Sequence, residues 1–497
     1  MGLIQRQSIK YSIVSFLSVF IGGLSVIFIY PNDRDTYGLL QGFIAFALIL
    51  MPLVGMGVQS LVIRFFPEFK DKEQQHRGFL GFILLLASLA LILSVLFFYF
   101  FQTHIYAILA PLGFDMEVIG AYSHLVFALA AVLLLNKILT NYISVFGRIV
   151  IPNMLNNFFI KLLMPSLILL HFFGLANIEQ LVYLLVGGYT LALLILLIYT
   201  IYLGEFFIKP QFNFLSSDLL KKMRTYSFYA LLVGSAPVLA QNIDSVMVTT
   251  LVSAESNGDY SIFRFMANTI DIPLFALIAI GGPIISTKFE EKDLSGIKAL
   301  YQKSALNGLI AGVLIFVGVF CNLDDLLHIT GKYAELSPTK SVFLFLGLAK
   351  LFDVLTSLNA QIIGYSKYFR YNFWIMMFLA VINVVNNYIF IAYLGFDAIG
   401  AAMATCISIF LFNLIRLSII WWKFKMLPFT KEVFLVIALA FSIIGVITQI
   451  PFDIAPIPNI LLRSMLIVAL YAFVILYFRV SEDVNALVLK YWKMIRP

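Results

Sequence analysis

Charged and Pro/Gly-rich breaks cut the chain into fourteen predominantly apolar stretches, each near the roughly 20 residues a helix needs to cross the hydrocarbon core of a bilayer. The stretches lie near 11–30, 39–63, 79–101, 118–143, 150–173, 181–203, 226–252, 260–286, 305–321, 342–363, 372–394, 399–421, 433–450 and 460–479. A chain that is 62% hydrophobic and 12% charged, with 49 Phe among 497 residues, lies outside the soluble range, so the pattern reads as membrane spans. The expected fold is an all-α integral membrane protein of about fourteen transmembrane helices.

Lys and Arg set the orientation, because short loops near helix ends keep them on the cytoplasmic side. With the N-terminus inside, 24 of the 33 fall on that side and only Arg34, Lys332, Lys340 and Arg463 on the other. Both termini are therefore expected to be cytoplasmic, in the cell's inner membrane. The net charge of +7 then needs no nucleic-acid partner. The first stretch lacks a small-residue cleavage site, so a removable signal peptide is not expected. Loops near 204–225, 287–304 and 322–341 reach only about 20 residues, too few for a nucleotide-binding or glycosyl-handling domain, and there is no Walker A motif. Cys321 and Cys406 read as buried apolar thiols, and the five histidines lack metal-ligand spacing.

Three short stretches carry helical apolar periodicity beside charged residues: Leu219, Leu220 and Met223 after Ser216 or Ser217; Leu294, Ile297, Leu300 and Tyr301; and a tail from Ser481. In the tail, Val484, Leu487, Val488, Tyr491, Trp492 and Ile495 recur at 3.6-residue spacing, which predicts a helix lying on the inner membrane surface. A weak internal repeat also shows: Asp35-Thr36-Tyr37-Gly38 opens the second stretch much as Gly258-Asp259-Tyr260 opens the eighth, the tyrosines 223 residues apart. Six stretches precede the seventh, so the expected architecture is two six-helix bundles as parallel pseudo-repeats, 1–204 and 205–424. A further helix pair at 425–480 and the surface helix at 481–497 follow. Two such bundles place a cavity between them.

The Tyr37-Gly38 opening, the Asp244 segment followed by Gly258-Asp259-Tyr260, and Pro283 resemble the polysaccharide-transporter branch of the multidrug/oligosaccharidyl-lipid/polysaccharide exporter superfamily. Ile382-Asn383-Val384-Val385-Asn386-Asn387-Tyr388, running into Leu394-Gly395-Phe396-Asp397-Ala398-Ile399-Gly400-Ala401-Ala402, is similar to lipid-linked oligosaccharide flippases. The resemblance spans nearly the whole chain. It implies transport without bond chemistry, so the protein is not expected to be an enzyme, and it implies a lipid-linked oligosaccharide as substrate.

The residues bear on that implication directly. A charge at the bilayer centre costs roughly 2.5 to 3.5 kcal/mol on insertion scales, so charges there should face a cavity or one another. The stretches contain five cations (Lys137, Lys161, Arg264, Lys350, Arg416) and three anions (Asp244, Asp271, Asp353), an excess suited to an anionic diphosphate. Arg264, Asn268 and Asp271 share a helical face, and Asp244 on the preceding stretch can meet Arg264 as a structural pair or as a coupling partner. Asn153, Asn157 and Lys161 form a second stripe, with Lys161 deep; Lys137 and Arg416 lie nearer helix ends and can reach the interface. Lys350 and Asp353, three residues apart, can neutralise each other, and Asn383, Asn386 and Asn387 suit interhelical hydrogen bonds or ligand contacts.

The leading expectation is a monomeric flippase carrying a polyprenyl-diphosphate-linked oligosaccharide across the membrane by alternating access. No cofactor is expected, and the acids would couple to protons or sodium. A cation-coupled exporter of drugs or other amphiphiles is the first rival. A glycan polymerase or glycosyltransferase is the second, although Asp324, Asp325 and His328 on the longest outer loop show no catalytic arrangement.

Overall fold

The computed structural model describes residues 3–112, 116–450 and 454–486, which hold helices and no strand. The long helices are α1 (Leu3–Phe28), α2 (Arg34–Val54), α3 (Val58–Phe69), α4 (Phe79–Leu109) and α5 (Met116–Ser144). α6 (Val150–Phe172), α7 (Ile178–Tyr202), α8 (Ser217–Leu251), α9 (Ala254–Glu290) and α10 (Leu294–Cys321) follow. After short helices at Leu323–Ile329 and Tyr333–Leu336 come α11 (Ser341–Thr356), α12 (Asn359–Tyr365), α13 (Arg370–Tyr393), α14 (Asp397–Phe424), α15 (Lys431–Ile447) and α16 (Pro456–Tyr477).

Each of the fourteen apolar stretches lies on helix. Among the described residues eleven helices are long and apolar enough to cross a membrane, and the α11–α12 pair, bent by 44°, makes a twelfth. The count of fourteen is not reached because the apolar part of α1 is only Ile13–Phe28 and α15 has 17 residues.

Helix starts follow local capping chemistry, in which a side-chain oxygen takes a backbone N–H that has no partner in the first turn. Asp33 accepts from Thr36 N at 3.3 Å, Asn177 and Gln180 form a reciprocal capping box, and Ser216 accepts from Leu219 N at 3.1 Å. Asp293 accepts from Gly296 N at 2.8 Å. Lys288 at 2.6 Å, the Gly296 N–H and Ser295 together hold its carboxyl down at about 2. These caps correct two expectations. The Leu219–Met223 and Leu294–Tyr301 stretches are the first turns of α8 and α10, not separate surface elements, and Leu219, Met223, Ile297 and Tyr301 are buried. Of the expected tail helix, residues 482–486 are helical, while Leu487, Val488, Tyr491, Trp492 and Ile495 lie outside the described residues.

The chain divides into two compact units, Met1–Gly258 and Asp259–Pro497. This division lies beyond the 204/205 seam expected from the even helix count, because α8 packs along α2 within the first unit. Gly42 makes that packing close, and Gly38, four residues earlier on α2, does the same for the start of α9. A Cβ at Gly38 would meet the backbone of Ala254 and Gly258, and one at Gly42 would meet the Thr249 side chain. Small residues at this spacing let two backbones approach in lipid. The two stretches that read as a repeat thus touch through Gly38 and Gly258, and Asn257 Nδ2 donates to Gly38 O at 2.7 Å.

In the second unit α14 packs on α11 and α13, and α10 packs on α11, α15 and α16. Three polar contacts tie the α16 region along the length of α10. Arg463 reaches Asp325 at 2.8 Å just beyond one end, Tyr471 OH donates to Ile310 O at 2.9 Å, and Asp483 takes Lys303 at 2.7 Å and Asn307 at 2.9 Å. The Lys303 ammonium holds the Asp483 carboxyl below the usual carboxylate range.

Candidate functional site

Three helices of the second unit carry its ionised groups into the spanning region. α9 tightens into a 3-10 turn at Thr269–Asp271 ahead of Pro273, which has no N–H to continue the ladder. That turn sets Asp271 against α11, where Lys350 Nζ meets its Oδ2 at 2.6 Å. Asp271 is buried, its Oδ1 has no hydrogen-bond partner among the described residues, and the Lys350 side chain remains 22% exposed. Breaking such a pair from one side costs roughly 3 to 5 kcal/mol, since a buried charge is left behind.

The pairing differs from the one expected within α11. Lys350 joins Asp271 across helices, while Asp353 Oδ1 accepts from Asn413 Nδ2 of α14 at 2.9 Å. Asn413 Oδ1 in turn lies 3.0 Å from Thr356 Oγ1, so the amide is oriented from both sides. Arg416, one turn along α14, is enclosed by protein: it is 8% exposed, with its guanidinium 3.9 Å from the centre of the Phe412 ring. Asn413 and Thr356 do not stand out as site residues in the sequence. The available signal is spacing, because each sits three residues from a marked charge, on the same helical face.

The remaining marked residues of this unit are spread out. Arg264 is half-buried and Asn268 exposed, so the expected stripe with buried Asp271 is not one uniform wall. Asn386 Nδ2 donates to Ser408 Oγ at 3.0 Å and Thr405 Oγ1 to Asn383 Oδ1 at 3.3 Å, which ties α13 to α14. Asp324 takes Lys340 at 2.9 Å, Asp325 takes Arg463, and His328 stacks on Tyr333 with ring centres 4.0 Å apart. The acids and histidine of this loop are thus engaged in holding the short helices.

The first unit places its marked residues differently. Asp244 is 2% exposed on α8, Lys161 is half-buried on α6, and Lys137 is exposed. A π-turn at Met154–Phe159 runs through the Asn153, Asn157 and Lys161 stripe. Its wider winding leaves Asn153 buried and Asn157 exposed, with Asn157 donating to Asn153 and Asn153 to Ser15 Oγ at 3.3 Å. The unit also holds an apolar groove of about 690 Å3 beside the α2–α3 break, where Met56 and Gly57 both have positive φ. Leu53, Leu89, Leu93 and Phe228 line it, and among the described residues Arg224 is its only ionised lining group. The groove offers apolar contacts, whereas the cluster of the second unit offers charged and hydrogen-bonding groups.

The fold resembles known transporters. The structure of the lipid II flippase MurJ in an inward closed conformation matches with a TM-score of 0.69 at 15% identity, over 95% of this chain and all of that one. An inward-facing multidrug resistance MATE family transporter of the MOP superfamily matches at 0.59 and 13% identity, over 84% of this chain and 94% of that one. No curated protein sequence matches the chain. A sequence profile described as polysaccharide biosynthesis protein matches residues 11–288, more than half of the chain. The chain is thus a multi-pass membrane protein with a flippase and exporter fold, and it belongs to the polysaccharide biosynthesis protein family.

Proposed function

We propose that the protein moves a polyprenyl-diphosphate-linked oligosaccharide from the inner to the outer leaflet of the cytoplasmic membrane by alternating access, working as a monomer. The observation that carries this reading is Lys350, a partly exposed ammonium inside the spanning region whose counter-ion, Asp271, is buried. A cation in that position is stabilised enough to persist in lipid and accessible enough to be taken over by an anionic head group. Lys161 and Arg264 would share the diphosphate, and the exposed amides of Asn157 and Asn268 would meet sugar hydroxyls. Asp244, Asp271 and Asp353 would hold or release the cations, with proton or sodium binding as the drive. The isoprenoid tail would stay in the bilayer, where it needs no shelter. In this reading residues 1–204 and 205–424 work as two bundles, with the helices of 425–480 added.

The test is a deletion strain complemented with variants. Lipid-linked glycan should accumulate on the inner leaflet in the deletion, and Lys350→Ala, Lys161→Ala and Arg264→Ala should fail to clear it. Normal glycan export in the deletion, with altered drug tolerance, would overturn this reading in favour of an exporter of amphiphiles.

A further inference from the structure

Arg416 poses a problem that the proposed transport step does not solve. A guanidinium is always charged and presents five N–H donors, yet this one is 8% exposed and its Nε meets no acceptor among the described residues. The Phe412 face compensates only in part, since a cation–π contact is worth about 0.5 to 2 kcal/mol and desolvating an ion costs several. Asp353 supplies the nearby negative charge but directs Oδ1 to Asn413.

The surroundings hold further unmet polar groups. Between α11 and α12 the helix breaks at Ser357, whose φ of 27 lies in the left-handed region that favours glycine. Thr356 Oγ1 on Asn413 Oδ1 pins this break one helical turn from Arg416, and α12 packs on α14. Ser357 Oγ and Asn359 Nδ2 are buried there without partners among the described residues, while Asn359 Oδ1 is taken by Tyr301 OH. Broken backbone at membrane depth persists where it lines a site; beside the hydroxyl of Ser357 and the Nδ2 of Asn359, the break also holds one unpartnered acceptor among the described residues, Gln361 Oε1, whose side chain lies next to Gly282 of α9.

From this geometry we infer that the break of the α11–α12 span and Arg416 together hold a small monovalent anion of the halide class, resident in the second unit. An anion only accepts, so it satisfies Nε–H, Nδ2–H and a hydroxyl at once, and it neutralises a charge that Asp353 serves only through space. A lipid-borne diphosphate does not fit this role, because the guanidinium is enclosed on α14 about 12 Å from the Phe424 end of the helix. The inference therefore removes Arg416 from the substrate-binding set and stands whichever glycan is carried.

The experiment uses the purified full-length chain in detergent at constant ionic strength, titrating chloride or bromide against gluconate and following thermal unfolding. Wild type should be stabilised saturably by both halides. Arg416→Gln should weaken the apparent affinity at least tenfold, and bromide should give an anomalous peak beside Arg416 in crystals. Ser357→Ala and Asn359→Leu, which leave the charge balance intact, should each weaken the affinity severalfold and keep the test open if Arg416→Gln does not fold. Halide-independent unfolding with no bromide peak would mean that water alone fills the site. Saturation by inorganic phosphate but not by halides would assign the site to the substrate head group; either result overturns the inference. Because glycan accumulation in cells is a separate readout, failure here and failure of the proposed transport are distinguishable.

Discussion

The described ion pairs and hydrogen-bonded charges of the two units fall in different places. In the first unit three contacts to carboxylates sit near helix ends: His76 Nε2 with Glu205 at 2.8 Å, His171 Nδ1 with Asp33 at 2.5 Å, and Arg34 with Glu255. Between them, Gly38 lets the α2 backbone approach the start of α9, and Gly42 lets α2 close on the Thr249 side chain of α8. In the second unit the Asp271–Lys350 pair and the Asp353–Asn413–Thr356 chain lie within the spanning helices themselves. Charge at helix ends fastens loops, whereas charge inside the spans needs a partner at depth and costs stability if that partner is lost. The contrast makes the second unit's pair the first to test by substitution.

That contrast is open to attack by substitution, and the largest effect should come from the deep pair. Lys350→Ala should lower stability by roughly 3 to 5 kcal/mol by stranding Asp271, whereas Lys350→Met with Asp271→Asn should restore most of the unfolding temperature without restoring glycan export. If the double variant transports normally, the pair is structural. At the first unit's ends, His76→Ala removes a hydrogen bond to a carboxylate and should cost about 1.5 to 3 kcal/mol in thermal unfolding while export persists at permissive temperature.

Gly38→Ala tests the close crossing. Its Cβ would meet backbone atoms that cannot turn aside, so a loss of about 1 to 3 kcal/mol is expected, and an unchanged unfolding temperature would show that the two backbones have room to move apart. The smallest effect belongs to Asp293, outside the spans. Its carboxyl is held at about 2, below the ordinary 3.8, so its contribution is fully present above pH 3.8 and fades as pH falls toward 2. Asp293→Asn should flatten the pH dependence of unfolding in that window and change little at neutral pH.

Part of the site is legible in the amino-acid sequence alone. Asp271, Lys350, Asp353 and Arg416 stand out because charges in apolar stretches are rare, and that rarity is a local property. Which charges meet is not legible there. Spacing within α11 joins Lys350 to Asp353, but the 3-10 turn in α9 delivers Asp271 to Lys350, and Asn413 of α14 takes Asp353 instead. Likewise the stretch after Ser216 or Ser217 and the Leu294–Tyr301 stretch read as separate surface helices, whereas each opens a spanning helix that continues without a break.

By itself the sequence determined the all-helical membrane fold, the approximate position of each span and the family, because hydropathy and capping act over a few consecutive residues. Only the tertiary structure decided the 258/259 division, the partner of Lys350 and the enclosure of Arg416. Those outcomes depend on which helices pack together, and in lipid that choice is made by small residues and polar contacts far apart in the chain.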